Sequence, residues 1–333
     1  MSIKQHRLKE ILNNFKKSKV LIIGDLILDQ FVWGDVSRIS PEAPVPVVLV
    51  ESESFMPGGA ANVALSVGAL EGKALLAGVI GKDALGKILK SKLGRRVNTS
   101  GIIADATRHT ALKTRIVARH QQVVRVDKEI IGELTKKISE KIISYVRKCA
   151  NDIQGIVIED YGKGVINPLL IKEVVAIAKK KNIIVTVDPK EEHFSYYRGV
   201  TCLTPNQHEA GKAVGIKIHD RKSLQDAGKK LLAQLGVKAV LITLGENGMC
   251  LFEKKGRVTH IPTRAQEVFD VSGAGDTVIG AFTLALASGA DFEEAAQISN
   301  YAAGVVVGKV GVGTCTQKEL ISRVNMDTVS NLK

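Results

Sequence analysis

The sequence predicts an α/β fold: a doubly wound, largely parallel central sheet with helices on both faces, plus a small projecting β-strand lid. Short runs rich in Val and Ile alternate with helical patterns along most of the 333 residues. Apolar residues make up 45% of the chain but aromatics only 4%, so the core must be aliphatic, as in parallel sheets covered on both faces. Two segments break the alternation and read as extra strands.

The elements follow in order. Residues 1–18 are polar and basic, without the apolar core of a secretory signal, and read as a helical extension. Residues 20–24 form a first strand. A helix at 60–70, a strand at 73–79 and a helix at 83–93 follow. A long helix covers 133–149, then a strand at 155–159, a helix at 167–180 and a strand at 183–188. A helix at 222–235, a strand at 239–243 and helices at about 275–288 and 292–309 complete the pattern. Loops at the carboxyl ends of such strands form the ligand site. The two exceptions are residues 30–53, with Pro41, Pro44 and Pro46 among extended runs, and residues 110–127, alternating and rich in Val, Thr and Arg. Strands of this kind can close over a substrate and can pair with a second copy. No linker or repeat divides the chain, so one domain is expected over 19–325, with a tail at 326–333.

The net charge of +13 raises nucleic acid as a partner. The charges are dispersed, however, and aromatics do not interleave with the basic runs, which argues against it. A small anionic substrate with ATP accounts for part of the bias. Cys149, Cys202, Cys250 and Cys315 have no metal-binding spacing and read as free buried thiols. No apolar run approaches the ~18 residues of a membrane span, and a cytoplasmic protein with no membrane partner is expected.

The most informative stretch is Asp270-Val-Ser-Gly-Ala-Gly-Asp276, which leads into an apolar helix. A glycine-rich turn before a helix presents backbone N–H groups, and with the helix dipole these form an anion site. Asp276, in the first turn, would stand beside the anion as a base, the arrangement that phosphoryl transfer to a hydroxyl requires. An ordinary capped helix, with Ser272 as N-cap, fits the same residues.

Asp25 and Asp29 follow the first strand. They suit hydrogen bonding to sugar hydroxyls, or ligation of a metal. Gly58-Gly59-Ala-Ala-Asn62 puts a tight turn and an amide just before a helix, where a ligand can approach the backbone; Asn62 also fits a local hydrogen bond at the helix start. Asn206 and Glu209 lie three apart. Glu209 can hold a water-ligated Mg²⁺, or the pair can be a capping box. His208 is expected to face solvent. Thr243-Leu-Gly245-Glu-Asn-Gly248 is a strand-end turn that serves a hairpin or lines a nucleotide. P-loop, dinucleotide and protein-kinase fingerprints are absent.

Together these residues resemble the ribokinase/PfkB-type family of sugar kinases from about residue 19 to 320. Residues 270–283 match its C-terminal signature, residues 58–62 its glycine motif, and Asn206-x-x-Glu209 its Mg–nucleotide motif, in the family's order. Residues 34–46, Lys113-Thr-Arg115, 119–122 with 125–127, Asp160-Tyr-Gly-Lys163-Gly and Asp188-Pro-Lys190 look like those of D-glycero-D-manno-heptose 7-phosphate kinases. Those enzymes supply ADP-heptose for the lipopolysaccharide core, alone or fused to a nucleotidyltransferase. The chain stops soon after the kinase pattern and reads as the kinase alone, or as that half of a longer protein.

The resemblance implies a mechanism. Asp276 takes the proton of the anomeric hydroxyl while Gly273, Ala274 and Gly275 form the anion hole. ATP lies beside Asn206, Gln207, His208, Glu209, Thr243, Gly245, Gly248 and Asn300, with Mg²⁺ held by Glu209 through water. The sugar meets Asp25, Asp29, Gly58, Gly59 and Asn62. Candidate cations for its phosphate are Arg38, Arg115, Lys163 and Lys190. A homodimer through the lid strands is expected, and use of a monovalent cation stays open. The alternatives are a same-fold kinase for fructose 6-phosphate or ribose, and a non-catalytic nucleotide or sugar sensor; an intact Asp276 argues against the sensor.

Overall fold

Apolar side chains on both faces of the first strand drive it to the middle of a sheet. In β1 (Lys19–Gly24), Val20 and Ile22 join one buried cluster while Leu21 and Ile23 join another. The structure is a computed structural model that describes residues 3–119, 121–265, 268–309, 311 and 313–330.

Before β1 comes α1 (Gln5–Phe15). After it come β2 (Leu26–Ile39), β3 (Pro46–Gly59), α2 (Ala60–Ala69), β4 (Lys73–Gly81), α3 (Ala84–Leu93) and β5 (Val97–Asp105). The middle of the chain contains β6 (Ala111–Ala118), β7 (Gln121–Lys128), α4 (Lys136–Cys149), β8 (Gly155–Glu159), α5 (Pro168–Lys181), β9 (Ile184–Asp188) and β10 (Cys202–Leu203). The last third holds α6 (Gln207–Val214), α7 (Arg221–Leu235), β11 (Ala239–Thr243), β12 (Met249–Glu253), β13 (Val258–Ile261), α8 (Ala274–Ala287), α9 (Phe292–Val306) and α10 (Gln317–Ser330).

The main sheet has the order β13-β12-β11-β10-β9-β8-β1-β4-β5 and is parallel from β11 to β5. β12 runs antiparallel to both of its neighbours. From β1 the chain builds outward through β4 and β5, then returns to the other side of β1 with β8. The carboxyl ends of β1 and β8 therefore flank the topological switch point, where ligands bind in such sheets. One buried cluster joins α1, α2, α3, α8, α9 and α10 to one face, and the other joins α4, α5, α6 and α7 to the opposite face. The four cysteines are free and buried.

The lid is a separate four-stranded sheet, β3-β2-β6-β7. β2 begins buried at the switch point and becomes exposed by Ile39, so the lid is rooted in the core and projects away from it. Pro46 sits at the first position of β3, where its missing N–H does no harm.

Three elements were not expected from the sequence. β5 carries Asn98, Thr99 and Ser100 and has no clean alternation. β13 is only four residues long. α10 runs through the expected tail up to Ser330, while residues 331–333 and His120 of the lid motif lie outside the described residues. The start of α10 was legible: Thr316 and Glu319 form the reciprocal bonds of a capping box, with the Thr316 N–H donating to Glu319 Oε2 (2.8 Å). At the other end, α1 is integrated rather than appended. Its Leu8, Ile11, Leu12 and Phe15 are buried, and Arg7 pairs with Glu294 on α9 at 2.8 Å.

Candidate active site

Asp276 enters the switch point on the first turn of α8. Gly273 takes the N-cap position in the left-handed region (φ 76°), and no side chain caps the helix. Ser272, the N-cap of the alternative capped-helix reading, does not serve; its N–H turns back to Asp270 Oδ1 at 2.8 Å. The Ala274 N–H donates to the Val271 carbonyl at 3.2 Å, and the Thr277 N–H to that of Gly273 at 3.0 Å. Among the described residues, the N–H groups of Gly273, Gly275 and Asp276 have no acceptor. The open anion cradle therefore differs from the expected one, with Asp276 in place of Ala274. The glycine at the turn and the helix dipole make this cradle electropositive.

The Asp276 carboxylate is only 4% exposed. Asn62 Nδ2 donates to one of its oxygens at 2.7 Å and the Tyr161 hydroxyl to the other at 3.0 Å. Burial lifts its pKa to about 6 from 3.8, against the pull of these two donors. Tyr161 was given no role from the sequence, where it appears only inside the Asp160-Tyr-Gly-Lys163-Gly stretch. Its hydroxyl is held well above its usual pKa, first by the Asp276 charge and then by burial, so it stays a donor.

Asn62 reaches this position because of the turn before it. Gly59 caps α2 with φ 54°, and a side chain at Gly58 would collide with the Asp29 carboxylate. Asp29 and Arg115 form an ion pair on the adjacent strands β2 and β6.

Three cavities lie around the first turn of α8, and Asp276 itself lines the narrowest. The narrowest, about 100 Å³, holds Asp29, Gly59, Lys113, Arg115, Tyr161, Gly273 and Asp276. The largest of the three, about 510 Å³, is lined by Thr243, Gly245, Gly248, Ala274, Gly275 and Asn300, with Val268 and Val271 as an exposed apolar wall. Between them a cavity of about 320 Å³ contains Asp188, Lys190, Asn206, Glu209 and again Thr243, Tyr161 and Gly275. Gly275 lines the second and third, and Tyr161 the first and third.

Several expected residues lie elsewhere. Asp25 is 1% exposed and accepts the N–H groups of Tyr161 (2.9 Å), Lys163 (3.0 Å) and Val165 (3.2 Å), so it shapes that loop instead of facing the narrow cavity. Burial lifts its pKa to about 6. Arg38 is exposed on the outer part of β2. Lys190 faces the cavity of Asn206 and Glu209, away from Arg115. Lys163 is paired with Glu129 at 2.6 Å. Gln207 points to the opposite side of α6, where its amide donates to the Ile218 carbonyl at 2.9 Å. His208 is exposed, as expected from sequence, and lines none of the three cavities. Asn300 lines the largest cavity but also donates to the Pro262 carbonyl at 2.7 Å.

Both readings of Asn206 and Glu209 have support. The pair forms a complete capping box on α6, and Glu209 still borders the middle cavity. Burial raises its pKa. Glu159 and Asp188, register partners on β8 and β9, bring two more carboxylates; Glu159 was not singled out from sequence, and Asp188 only as part of Asp188-Pro-Lys190. With Asp276 they place one oxygen each within 4.8 Å of one another. Neither Glu159 oxygen has a hydrogen-bond donor. Burial, and then neighbouring negative charge, raise the pKa values of Glu159 and Asp188. Asp188 and Glu209 both line the middle cavity, and their hard oxygens are a donor set that fits a divalent cation.

The comparisons with known proteins agree with this geometry. The profile of the pfkB family carbohydrate kinases matches residues 17–319. The chain is 46% identical over 302 residues to a bifunctional protein HldE of Geobacter sulfurreducens, covering 90% of this chain and 62% of that protein. A bifunctional protein HldE of Geobacter metallireducens is 47% identical with the same coverage. The chain thus spans about three fifths of the length of these relatives. Among solved structures, phosphofructokinase-2 of Escherichia coli in complex with substrates and products superposes with a TM-score of 0.78 at 20% identity, over 93% of this chain and 99% of that one, a likeness of fold. The chain belongs to the pfkB family of carbohydrate kinases, and it is a phosphotransferase that acts on a sugar hydroxyl.

Proposed function

We propose that this chain transfers the γ-phosphoryl group of ATP to the anomeric hydroxyl of D-glycero-D-manno-heptose 7-phosphate, giving heptose 1,7-bisphosphate on the way to ADP-heptose. The observation that carries phosphotransfer is Asp276, a buried carboxylate that lines the narrow cavity beside backbone donors without acceptors. Similarity to the HldE proteins and the resemblance of the lid stretches support the heptose phosphate.

In this reading the sugar enters the narrow cavity and ATP the large one. The lid strands β2 and β6 line the narrow cavity through Asp29, Lys113 and Arg115, so they would close over a sugar bound there. Val268 and Val271 supply apolar surface for a base, and Thr243, Gly245, Gly248 and Asn300 line the same space. Asp29, fixed by Arg115, accepts sugar hydroxyls. Asp276 accepts the proton of the anomeric hydroxyl as its oxygen bonds to the γ-phosphorus. The bond to the β-phosphate oxygen breaks, and its electron pair leaves with ADP. The N–H groups of Gly273, Gly275 and Asp276 hold the charge on the group in transit. Mg²⁺, when bound, offsets the charge of the β- and γ-phosphates. Glu209 and Asp188 are the carboxylates that would hold it, directly or through water.

We also propose that the protein acts in the cytoplasm, where ATP is available. Among the described residues no helix is long and apolar enough to cross a membrane. A second copy is proposed to cover the lid. Leu49, Val50, Val124 and Val126 on the lid strands are exposed by 44% or more, more apolar surface than a strand facing water needs.

The test is a panel of sugars in a coupled ADP-release assay. Heptose 7-phosphate is expected to turn over at least tenfold more efficiently than fructose 6-phosphate or ribose, a gap of about 1.4 kcal/mol. Faster turnover of either of those would overturn the substrate while leaving the phosphotransferase intact.

A further inference from the structure

One cation in the narrow cavity is held in no ion pair among the described residues. Lys113, on β6, is the register partner of Asp29 on β2 and of Asp127 on β7, yet its ammonium makes no hydrogen bond or ion pair among the described residues. Its neighbours are already matched. Arg115, two residues further along the same face, is paired with Asp29, and Lys163 with Glu129. The Lys113 Nζ stands 5.2 Å from the centre of the Tyr161 ring, whose hydroxyl donates to Asp276. Lys113 is partly buried, and this desolvation pushes its pKa down, with the charges of Asp29, Asp127 and Glu129 opposing. A cation over an aromatic face recovers only part of the hydration that burial removes. The cavity is also lined by two carboxylates, Asp29 and Asp276, which would repel a dianion unless a free positive charge stands among them.

We propose that Lys113 is the residue that receives a phosphoryl group in this cavity. The assignment rests on the sugar-kinase reading above. Two phosphoryl groups come within reach: the remote phosphate of the sugar substrate and the group in transit from ATP. Arg115 cannot replace Lys113 without releasing Asp29, which would leave a buried carboxylate unpaired. Asp29 stays free for hydroxyls because a different residue meets the phosphate.

The experiment uses the full chain with Lys113→Met, which keeps the length of the side chain without its charge, and Lys113→Arg, which keeps the charge. Thermal melts check that both fold. Steady-state rates are measured at saturating ATP on heptose 7-phosphate and on the phosphate-free heptose. Loss of a charge-assisted hydrogen bond corresponds to about a 10- to 100-fold effect. A fall of that size in kcat/KM on the sugar phosphate alone, with recovery in Lys113→Arg, assigns the remote phosphate. A fall in kcat on both substrates, with KM nearly constant, assigns the group in transit. Parameters within twofold of the parent on both substrates overturn the proposal. So does an equal loss in both variants with a lowered melting point, which marks a structural role.

Should the parent use neither heptose, the heptose reading fails and Lys113 is tested separately. Inorganic phosphate is then titrated calorimetrically against the parent and Lys113→Met in the presence of ADP. Binding weakened about tenfold or more in the variant supports the assignment, and equal binding overturns it.

Discussion

Replacing Asp276 with Asn separates the chemistry of the site from its stability. The carboxyl is lifted from 3.8 to about 6, chiefly by burial. A shift of two units is about 3 kcal/mol of preference for the neutral form in the folded state, at ~1.36 kcal/mol per unit. The folded pKa is the raised one, so this stabilisation is complete below pH 3.8 and is lost as pH rises through 6. Asn carries no charge at any pH and keeps an acceptor for Asn62. The variant and the parent are therefore expected to melt together near pH 4. Above pH 7 the variant is expected to melt higher, by roughly 5 °C. Asp25 has a similar shift but is common to both proteins, so it cancels in the difference. In the same preparations, turnover is expected to fall by about 10²- to 10⁴-fold with ATP affinity within about twofold. Differential scanning fluorimetry across pH and an ADP-release assay provide the two readouts. Equal melting points at pH 8 would refute the burial argument, and turnover within tenfold of the parent would remove Asp276 as the base.

Other outcomes follow from the same geometry. Rate against pH is expected to rise through about 6 as Asp276 deprotonates. Tyr161→Phe removes a donor to the carboxylate, so its acid limb should move to higher pH; an unmoved limb would show that the hydroxyl does not act on the base. Gly58→Ala places a methyl against the Asp29 carboxylate. The sugar KM should rise about tenfold while the ATP KM stays constant; equal effects on both would point to general misfolding. Leu49→Asp with Val126→Asp puts charges on the exposed lid surface. Light scattering should find a dimer for the parent and a monomer for the variant, whereas an unchanged mass would remove the lid as the interface.

The fold was legible because its signals are local. The apolar run of β1 shares its side chains between two clusters, and the helices that follow carry their own apolar faces. The lid announced itself through Pro41, Pro44 and Pro46 and through the alternation at 110–127. Within the site, the glycine turns were legible for the same reason: Gly59 and Gly273 both adopt positive φ. The rest depends on register between distant segments. Glu159 meets Asp188 because β8 and β9 pair in register, and Tyr161 meets Asp276 across 115 positions of sequence. Asp25 looked like a sugar ligand because a carboxylate at a strand end suits one; only the folded loop turns three backbone N–H groups onto it. Lys190 follows Asp188 by two residues, yet the end of β9 sends it toward Glu209 instead of the narrow cavity.

The most direct test of the account is the position of the transferred phosphoryl group. Phosphorus NMR of the chain incubated with ATP, Mg²⁺ and heptose 7-phosphate reads it. The account expects one new phosphate ester, coupled to the anomeric proton, appearing in step with ADP and absent with Asp276→Asn. An ester on any other hydroxyl, or ADP formed without a sugar ester, would contradict it.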